Sequence, residues 1–261
     1  MAKFCSLFSS SSGNCTYIGS SSGGILVDVG VSAKRAENAL HEIGVSPQSI
    51  QGIFVTHEHT DHISGVRVFA SRYGIPVFAT PGTLQGMERA GALNEKTEAF
   101  EVNPRGTAAG DLCVTPFATS HDARQSCGYT VTTGDGKKLA VCTDLGVMTD
   151  EVKQAVTGSD LILLESNHDV NMLRNGPYPY ELKRRILSDI GHLSNEACAD
   201  AAVELMETGT VRFLLGHMSK ENNFPPLALE TTRAAMKMAG AEENLDYLLE
   251  AAAGTLHMIT F

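Results

Sequence analysis

The chain lacks the long apolar segments that cross a lipid bilayer. None of its 261 residues belongs to an uninterrupted apolar run of about 18, so we expect no transmembrane helix and no membrane partner. The apolar stretch near the start is too short and too polar for the core of a secretory signal. These features predict that the protein resides in the cytoplasm.

Closely spaced cysteine pairs are also missing. The chain has six cysteines, scattered without a CxxC pair. This usage favours reduced thiols packed in a core. A chain of this length can bury a full core without disulfides or structural zinc.

Basic residues are outnumbered, with 20 lysines and arginines against 30 aspartates and glutamates and a net charge of −10. This balance argues against broad, non-specific binding of nucleic acid through a basic surface. A local basic channel and bound metal ions remain compatible with it. The nine histidines carry more information, because their placement is clustered.

No linker or low-complexity segment interrupts the chain, so we predict one domain over residues 1–261. The apolar pattern predicts strands at 3–8, 14–19, 24–29, 50–56, 76–79, 111–118, 127–133, 138–143, 160–165, 211–216 and 255–260. It predicts helices at 32–44, 65–73, 81–90, 179–189, 194–207 and 226–239. This order indicates an α/β fold with two similar halves packed sheet on sheet and helices outside.

The densest histidine cluster directly follows the predicted strand at 50–56. Residues 56–62 read THEHTDH and bring three imidazoles and the Asp61 carboxylate together, donors that suit zinc, manganese and iron. The rings of His57 and His59 point the same way from an extended segment. Asp61 and His62 follow after the chain turns and can face a second ion. A histidine-rich surface loop is the alternative, which the density of the motif disfavours.

This HxHxDH motif after a strand resembles the metallo-β-lactamase superfamily, whose members have an αβ/βα four-layer sandwich with a metal site at one edge of the sheets. Three further superfamily positions are matched in order by His121, Asp144 and His217. Each of these residues falls at the end of a predicted strand. The resemblance covers most of the chain and implies the same α/β sandwich fold.

The resemblance also implies a centre of two divalent ions, Zn, Mn or Fe. The ligands that it implies are His57, His59 and His121 for one ion, Asp61, His62 and His217 for the other, and Asp144 as the bridge between them. Paired ions lower the pKa of a shared water to near neutrality, and the metal-bound hydroxide is the expected nucleophile, oriented by Asp61. The net positive charge of such a site favours an anionic substrate.

Two later residues resemble the ribonuclease Z-like phosphodiesterases of the superfamily. His192 stands just before a helix that Ser194 can cap, and a helix N-terminus binds anions. There His192 would contact a phosphate or protonate the leaving oxygen, unless it is only a turn residue. Glu165, at the end of the strand 160–165, would orient His192; an exposed carboxylate at a helix start is the alternative.

Longer motifs are similar to the YycJ/WalJ family of bacterial proteins. They read SSGNCT near the start, NHD at 167–169, GPYP at 176–179, GHLSN at 191–195 and HMSKENN at 217–223. The similarity spans nearly the whole chain. It implies a 5′→3′ exonuclease that acts on the ends of DNA, with RNA ends also open, and a role in DNA repair.

Residues outside the ligand set are expected to bind substrate. They are Ser12 and Asn14 in the serine loop, His168 at the cleft border, Ser194 and Asn195 at a helix start, and Tyr178, Arg184 and Arg185 in the basic stretch at 171–185. The basic stretch would hold phosphates and stack on bases. A solvated hairpin turn and an ordinary amphipathic helix are the alternatives for the serine loop and the basic stretch.

Two other function classes stay open. A small-molecule hydrolase, either a cyclic phosphodiesterase or a glyoxalase II-like thioesterase, would use the same ions. A non-catalytic metal-binding regulator is less favoured, because all seven ligand positions are intact. Asp144 and His217 are 73 residues apart, which leaves no room for the large domain inserted in β-CASP nucleases.

Overall fold

The computed structural model describes residues 1–252 and 256–261. Its strands are β1 (Lys3–Ser10), β2 (Gly13–Gly19), β3 (Gly24–Val27), β4 (Ile50–Phe54), β5 (Val77–Ala79), β6 (Ala99–Glu101), β7 (Thr107–Ala109), β8 (Leu112–Ala118), β9 (Cys127–Thr132), β10 (Lys138–Cys142), β11 (Leu161–Glu165), β12 (Arg212–Gly216), β13 (Leu248–Ala251) and β14 (Ile259–Thr260). Its helices are α1 (Ala33–Glu42), α2 (Thr60–Ile63), α3 (Val66–Tyr73), α4 (Pro81–Arg89), α5 (Asp150–Val156), α6 (Val170–Asn175), α7 (Tyr180–Ile186), α8 (Asn195–Glu207) and α9 (Pro225–Met238). Among the helices of these described residues, none is both long and apolar enough to cross a membrane.

The strands form two mixed sheets flanked by helices. The described residues divide into two compact units. Unit 1 comprises residues 1–116, 123–137 and 256–261, and unit 2 comprises residues 117–122 and 138–252. The single domain over residues 1–261 stays a prediction, and each unit is described by itself.

Unit 1 contains a seven-stranded sheet in the order β14-β1-β2-β3-β4-β5-β6. Its first four strands pair antiparallel, and β3 to β6 pair parallel. Helix α1 connects the parallel strands β3 and β4 and begins where Ser32 accepts a hydrogen bond from the Arg35 amide. The apolar side chains of α1, such as Leu40, pack with Leu26 and Ile53 in the core of the unit. Burial of these side chains is what stabilises the layer of helix on sheet.

Unit 2 contains four parallel strands in the order β13-β12-β11-β10. Strand β11 is buried along its whole length, as expected of an inner strand of a parallel sheet. Helix α8 begins where the Ser194 hydroxyl accepts a hydrogen bond from the Ala197 amide. Leu205 of α8 and Met236 of α9 belong to the same apolar core as Leu164 of β11.

The candidate site residues follow the carboxyl ends of parallel strands in each unit. In unit 1, Asp28 follows β3 and His57 follows β4. In unit 2, Glu165 is the last residue of β11, and His217 directly follows β12. Because the carboxyl ends of parallel strands meet at one edge of a sheet, this topology gathers the side chains within each unit.

Most predicted elements are present within a few residues of their expected bounds. The helices predicted at 32–44, 65–73 and 81–90 are α1, α3 and α4, and the buried strand predicted at 160–165 is β11. The strand predicted at 255–260 begins at a residue outside the described ones, and its described part contains β14. Elements that were not predicted are short, including α2, α6, β6 and β7. Segments of three to six residues carry too little periodicity to be recognised.

Gly30 permits a close approach of two backbone segments in unit 1. A Cβ atom at this position would lie 1.6 Å from the carbonyl oxygen of Asp61 and 2.8 Å from the amide nitrogen of Asn14. We expect Gly30→Ala to lower the free energy of unfolding by about 1–3 kcal/mol, as overpacking does, in urea denaturation. Gly134→Ala is the matched control, since Gly134 is exposed and its nearest neighbour is the Asp111 side chain at 3.3 Å. Equal unfolding midpoints for the two variants would contradict this account.

Candidate metal centre

Four predicted ligands lie together in unit 1, between the end of β4 and α2. His57 Nε2 lies 3.0 Å from His59 Nδ1, and His62 Nε2 lies 3.5 Å from Asp61 Oδ2. The chain turns at His59, the residue before α2, so Asp61 and His62 lie on the helix. The predicted turn between the two pairs of ligands is therefore present.

Asp28 and Thr56 hold the far sides of two of these imidazoles. His62 Nδ1 donates to Asp28 Oδ2 at 2.8 Å, and the same carboxylate accepts from the Thr56 amide at 2.8 Å and the Thr56 hydroxyl at 2.9 Å. Because the hydroxyl donates to Asp28, it accepts from His57 Nδ1, 3.0 Å away. This arrangement leaves Nε2 of His57 and His62 to face an ion, as oxygen partners on the other ring nitrogen do in metal sites. Asp28 was not among the predicted residues, although a carboxylate in an apolar strand segment was a usable signal.

The remaining predicted ligands cluster in unit 2. Asp144 Oδ1 lies 3.5 Å from His217 Nε2 and 3.8 Å from His121 Nε2. The opposite nitrogen of each ring donates to oxygen: His121 Nδ1 to the Gly191 carbonyl at 2.9 Å, and His217 Nδ1 to Glu165 at 2.7 Å. Both rings therefore turn Nε2 towards one carboxylate. All three ligands are buried.

Glu165 is fully buried at the centre of the unit 2 cluster, so the alternative of an exposed carboxylate is wrong. Its Oε1 accepts from Nδ1 of His192 at 2.8 Å and of His217 at 2.7 Å. Its Oε2 accepts from the amides of Leu145 at 3.0 Å and Leu193 at 3.3 Å. Burial alone would raise the pKa of the Glu165 carboxyl, but the charges and hydrogen bonds of the two histidines hold it well below its ordinary value. The contact that the orientation of His192 requires is thus present, and the role itself stays a prediction.

Burial favours the neutral form of two histidines in unit 2. Burial lowers the pKa of His121, an effect that the nearby Asp144 carboxylate opposes. Burial also lowers the pKa of His168, to about 4. A neutral imidazole is the form that binds a metal ion. The His168 side chain is buried, so contact between its ring and substrate stays a prediction that the burial does not favour.

Strained backbone marks three of the strand ends. Asp28, Asp144 and His217 have φ angles of 62°, 59° and 53°, in the left-handed region. Such conformations cost non-glycine residues roughly 1–3 kcal/mol each and persist where the surrounding structure enforces them. The strained positions include two of the predicted ligands and the carboxylate that holds His62.

The donor chemistry of the two clusters fits a metal ion. Imidazole nitrogens and carboxylate oxygens are ligands for zinc, manganese and iron. His57, His62, His121 and His217 each have an oxygen partner on Nδ1, which fixes the ring and leaves Nε2 for the ion. The clusters therefore indicate binding of divalent metal.

The serine loop contributes a side chain to the unit 1 cluster. Asn14 Nδ2 lies 3.0 Å from His62 Nε2 and 3.4 Å from Asp61 Oδ2, so Asn14 borders the donor atoms. Ser12 is exposed in the same loop, and its hydroxyl lies 3.0 Å from that of Ser10. These positions agree with a loop at the edge of the ligands, and substrate binding by the loop stays a prediction.

At the start of α8, Asn195 was expected to bind substrate, but its surroundings do not favour that role. The Asn195 side chain is fully buried, with Oδ1 accepting from the Ser166 hydroxyl at 2.7 Å and Nδ2 donating to Asn223 Oδ1 at 3.0 Å. Direct contact between this amide and a substrate is not favoured, because its hydrogen bonds stabilise the interior. Ser194 is half-buried and caps the helix, as predicted.

The basic stretch separates into groups with different surroundings. The Arg184 side chain is exposed, and its guanidinium carbon lies 5.9 Å from the ring centre of Tyr180, which is 71% exposed. Tyr178 is half-buried. The Lys183 ammonium instead donates to the carbonyls of Arg174 at 2.9 Å and Gly176 at 2.7 Å.

Arg185 is engaged in a closer ion pair than the exposed Arg184, whose Nη1 lies 3.6 Å from Glu181 Oε2. Its guanidinium binds both oxygens of Asp122, with Nε 2.5 Å from Oδ2 and Nη2 2.7 Å from Oδ1. The intramolecular pair competes with any phosphate for this group. The structure therefore disfavours Arg185 as part of a substrate platform.

Known proteins are similar to this chain over most of its length. A family model described as a beta-lactamase superfamily domain matches residues 24–218. The exodeoxyribonuclease WalJ of Streptococcus pneumoniae is 39% identical over 249 residues, which are 94% of this chain and 92% of that protein. The exodeoxyribonuclease YycJ of Bacillus anthracis is 38% identical over 239 residues, which are 91% of this chain and 90% of that protein.

A solved structure supports the expected fold. The crystal structure of the metallo-beta-lactamase fold protein YhfI from Bacillus subtilis aligns with a TM-score of 0.73 and covers 100% of both chains at 14% sequence identity. At this identity the likeness shows the fold alone. The predicted metallo-β-lactamase sandwich is confirmed.

The charge of Glu165 is expected to contribute to stability in a pH-dependent way. Glu165→Gln removes the charge and leaves two histidines without their carboxylate, so we expect a loss of about 3 kcal/mol in the free energy of unfolding at pH 7. Since the folded-state pKa lies below the ordinary value of 4.5, this contribution is present above pH 4.5 and is lost as the pH falls through the folded-state value. Urea unfolding of the metal-free protein from pH 7 to pH 3 measures the difference.

Glu207→Gln is the control for that measurement, because Glu207 is an exposed residue at the end of α8. Its unfolding midpoint should follow that of the wild type at every pH. A Glu165→Gln midpoint that also matches the wild type at pH 7 would contradict the stabilising role of the buried charge.

Proposed function

Because the chain belongs to the metallo-β-lactamase superfamily and, within it, to the family of the WalJ and YycJ exodeoxyribonucleases, we propose that it is a metal-dependent exonuclease that removes nucleotides from the 5′ end of DNA. The observation that carries this proposal is that the side chains predicted as ligands lie within about 4 Å of one another in each unit, His57 to His59 and Asp61 to His62 in unit 1 and His121 and His217 to Asp144 in unit 2. Identity to the two exodeoxyribonucleases extends over more than nine tenths of the chain.

We assign the ligands to two divalent ions as the family pattern implies. By that pattern His57, His59 and His121 would hold one ion, Asp61, His62 and His217 would hold the other, and Asp144 would supply a carboxylate to both. Support comes from the donor pairs in unit 1 and from the convergence of two Nε2 atoms on Asp144 in unit 2. Bound ions would lower the pKa of a water and stabilise the negative charge that develops at phosphorus.

Other residues of the chain would transfer protons, orient the attacking water and bind the phosphate. Glu165 accepts the Nδ1 hydrogen of His192 and stabilises the imidazolium form of this ring, which carries a second proton on Nε2 and gives it to the leaving oxygen. Asp61 accepts a hydrogen bond from the attacking water and orients it in line with the scissile bond. Asn14 and Ser12 supply hydrogen bonds to phosphate oxygens at the edge of the ligands.

The polymer is held by the exposed part of the basic stretch. Tyr180 and Tyr178 stack on bases, and Arg184 contacts the phosphate backbone. The exposure of Tyr180 and Arg184 supports this assignment. We also place the protein in the cytoplasm, since its six cysteines are free thiols, the state that a reducing compartment maintains.

Digestion of end-labelled oligonucleotides tests the proposed activity. Purified protein with Mn²⁺ or Zn²⁺ should shorten DNA stepwise from the 5′ end, and Asp61→Ala should reduce the rate at least 100-fold because it removes a ligand and the group that orients the water. Equal circular dichroism spectra show that the variant is folded. Digestion of an RNA oligonucleotide of the same sequence shows whether the enzyme prefers deoxyribose or ribose in its substrate.

Two results would contradict the exonuclease. One is an intact oligonucleotide with a protein that carries its metal ions and hydrolyses a cyclic phosphodiester. The other is turnover of a thioester that His192→Ala leaves unchanged, which would indicate the thioesterase alternative.

The basic stretch is tested by Arg184→Gln. We expect a three- to tenfold rise in KM for a DNA oligonucleotide. The slope of log KM against log salt concentration should also fall by about one, because one phosphate contact is lost. Lys237→Gln, at the end of α9, removes the same charge from an exposed position and serves as control. Matching salt dependences for the two variants would contradict a platform at Arg184.

A further inference from the structure

Residues 185–192, here called the strap, run from the last turn of α7 to His192 and lie against the loop that carries His121. Backbone carbonyls of the strap accept hydrogen bonds from three consecutive residues of the loop. These bonds join the Ser120 hydroxyl to the Asp189 carbonyl at 2.5 Å, His121 Nδ1 to the Gly191 carbonyl at 2.9 Å, and the Asp122 amide to the Ile190 carbonyl at 3.1 Å. The orientation of the His121 ring is thus set by the position of the strap.

Both ends of the strap are fixed by charged side chains. At one end, Arg185 forms its two bonds with the Asp122 carboxylate, directly after His121. At the other end, His192 Nδ1 donates to the buried Glu165. A displacement of the strap therefore changes the positions of both His121 and His192.

Close packing leaves the strap little freedom between these ends. A Cβ atom at Gly191 would lie 2.3 Å from the carbonyl oxygens of Arg185 and Ile186. A Cβ atom at Gly146 would lie 2.4 Å from the carbonyl oxygen of Asp189. Since any side chain would collide at these positions, the strap backbone folds closely on itself at Gly191 and lies directly against the backbone at Gly146.

We propose that Arg185 is a positioning residue, whose bidentate pair with Asp122 fixes the strap and thereby orients His121 towards its metal ion and His192 towards the substrate. The planar guanidinium suits this task, because its two parallel bonds define a direction as well as a distance. A lysine would supply the charge without that direction. The inference rests on the proposed function for the identity of the ion and substrate that the two histidines face.

The test compares Arg185→Gln with Arg233→Gln. Arg233 makes a similar pair with Glu243, with Nε 2.6 Å from Oε2 and side-chain exposures of 38% and 26%, against 40% and 27% for Arg185 and Asp122. Arg233 lies on α9 and Glu243 follows that helix. The control therefore removes an equivalent surface ion pair that does not involve the strap.

Two readouts separate positioning from plain stability. The affinity for Zn²⁺, measured by competition with a chromophoric chelator, should fall about tenfold in Arg185→Gln, as it does when a partner of a metal-binding histidine is lost. The kcat for a dithymidine dinucleotide, whose alkoxide leaving group needs a proton, should fall about tenfold with little change in KM, because the proton donor His192 is misplaced. Arg233→Gln should leave both values unchanged, and the urea midpoints of the two metal-free variants should agree.

Further variants confine the effect to the pair. Arg185→Lys should recover only part of the Zn²⁺ affinity, and Arg185→Gln combined with Asp122→Asn should lose no more than either single change. An unchanged Zn²⁺ affinity in Arg185→Gln, or a loss confined to oligonucleotide cleavage, would overturn the proposal. Because Zn²⁺ affinity is measured without a substrate, an absence of nuclease activity would reject the proposed function and leave this test standing.

Discussion

The unit 2 cluster depends on the burial of one negative charge. A carboxylate removed from water must be compensated by donors close by, and the Glu165 side chain has four, two backbone amides and two imidazoles. The imidazoles come from the segments before α8 and after β12. The requirement to satisfy the carboxylate therefore brings these segments to the end of β11 and sets the direction of each ring.

In unit 1 a second buried carboxylate, that of Asp28, orients the imidazoles. Asp28 accepts from His62 and from both polar groups of Thr56, and through the Thr56 hydroxyl it also fixes His57. In each unit an acid at a strand end selects which ring nitrogen stays available. Metal ligands supplied by flexible side chains are in this way oriented before an ion arrives.

The sequence was sufficient for the parts of the structure that local patterns determine. The strand before His57, the turn before Asp61, and the strand ends near Asp144 and His217 all follow from apolar runs and their interruptions. These features place the ligands, and the family resemblance supplies the fold.

Other features depend on partners far away along the chain. Arg185 was expected to contact substrate, but its partner Asp122 lies 63 residues away and only tertiary structure brings them together. Asn195 was expected at the surface because helix starts often bind anions, yet Ser166 and Asn223 enclose it. Asp28 was overlooked because its role requires His62, 34 residues later. The sequence shows that these side chains are polar or charged, but it does not show which distant group each of them binds.

The left-handed backbone at Asp28, Asp144 and His217 destabilises the fold, while the side chains at these positions are needed for the proposed function. Glycine adopts this conformation without steric penalty, so mutation to glycine at these positions would relieve backbone strain. The same change would delete a ligand or the group that orients one. In a gene copy released from selection for activity, these three codons should thus drift towards glycine more readily than other strand-end codons. Glycine there would mark a descendant that keeps the fold and has lost the chemistry.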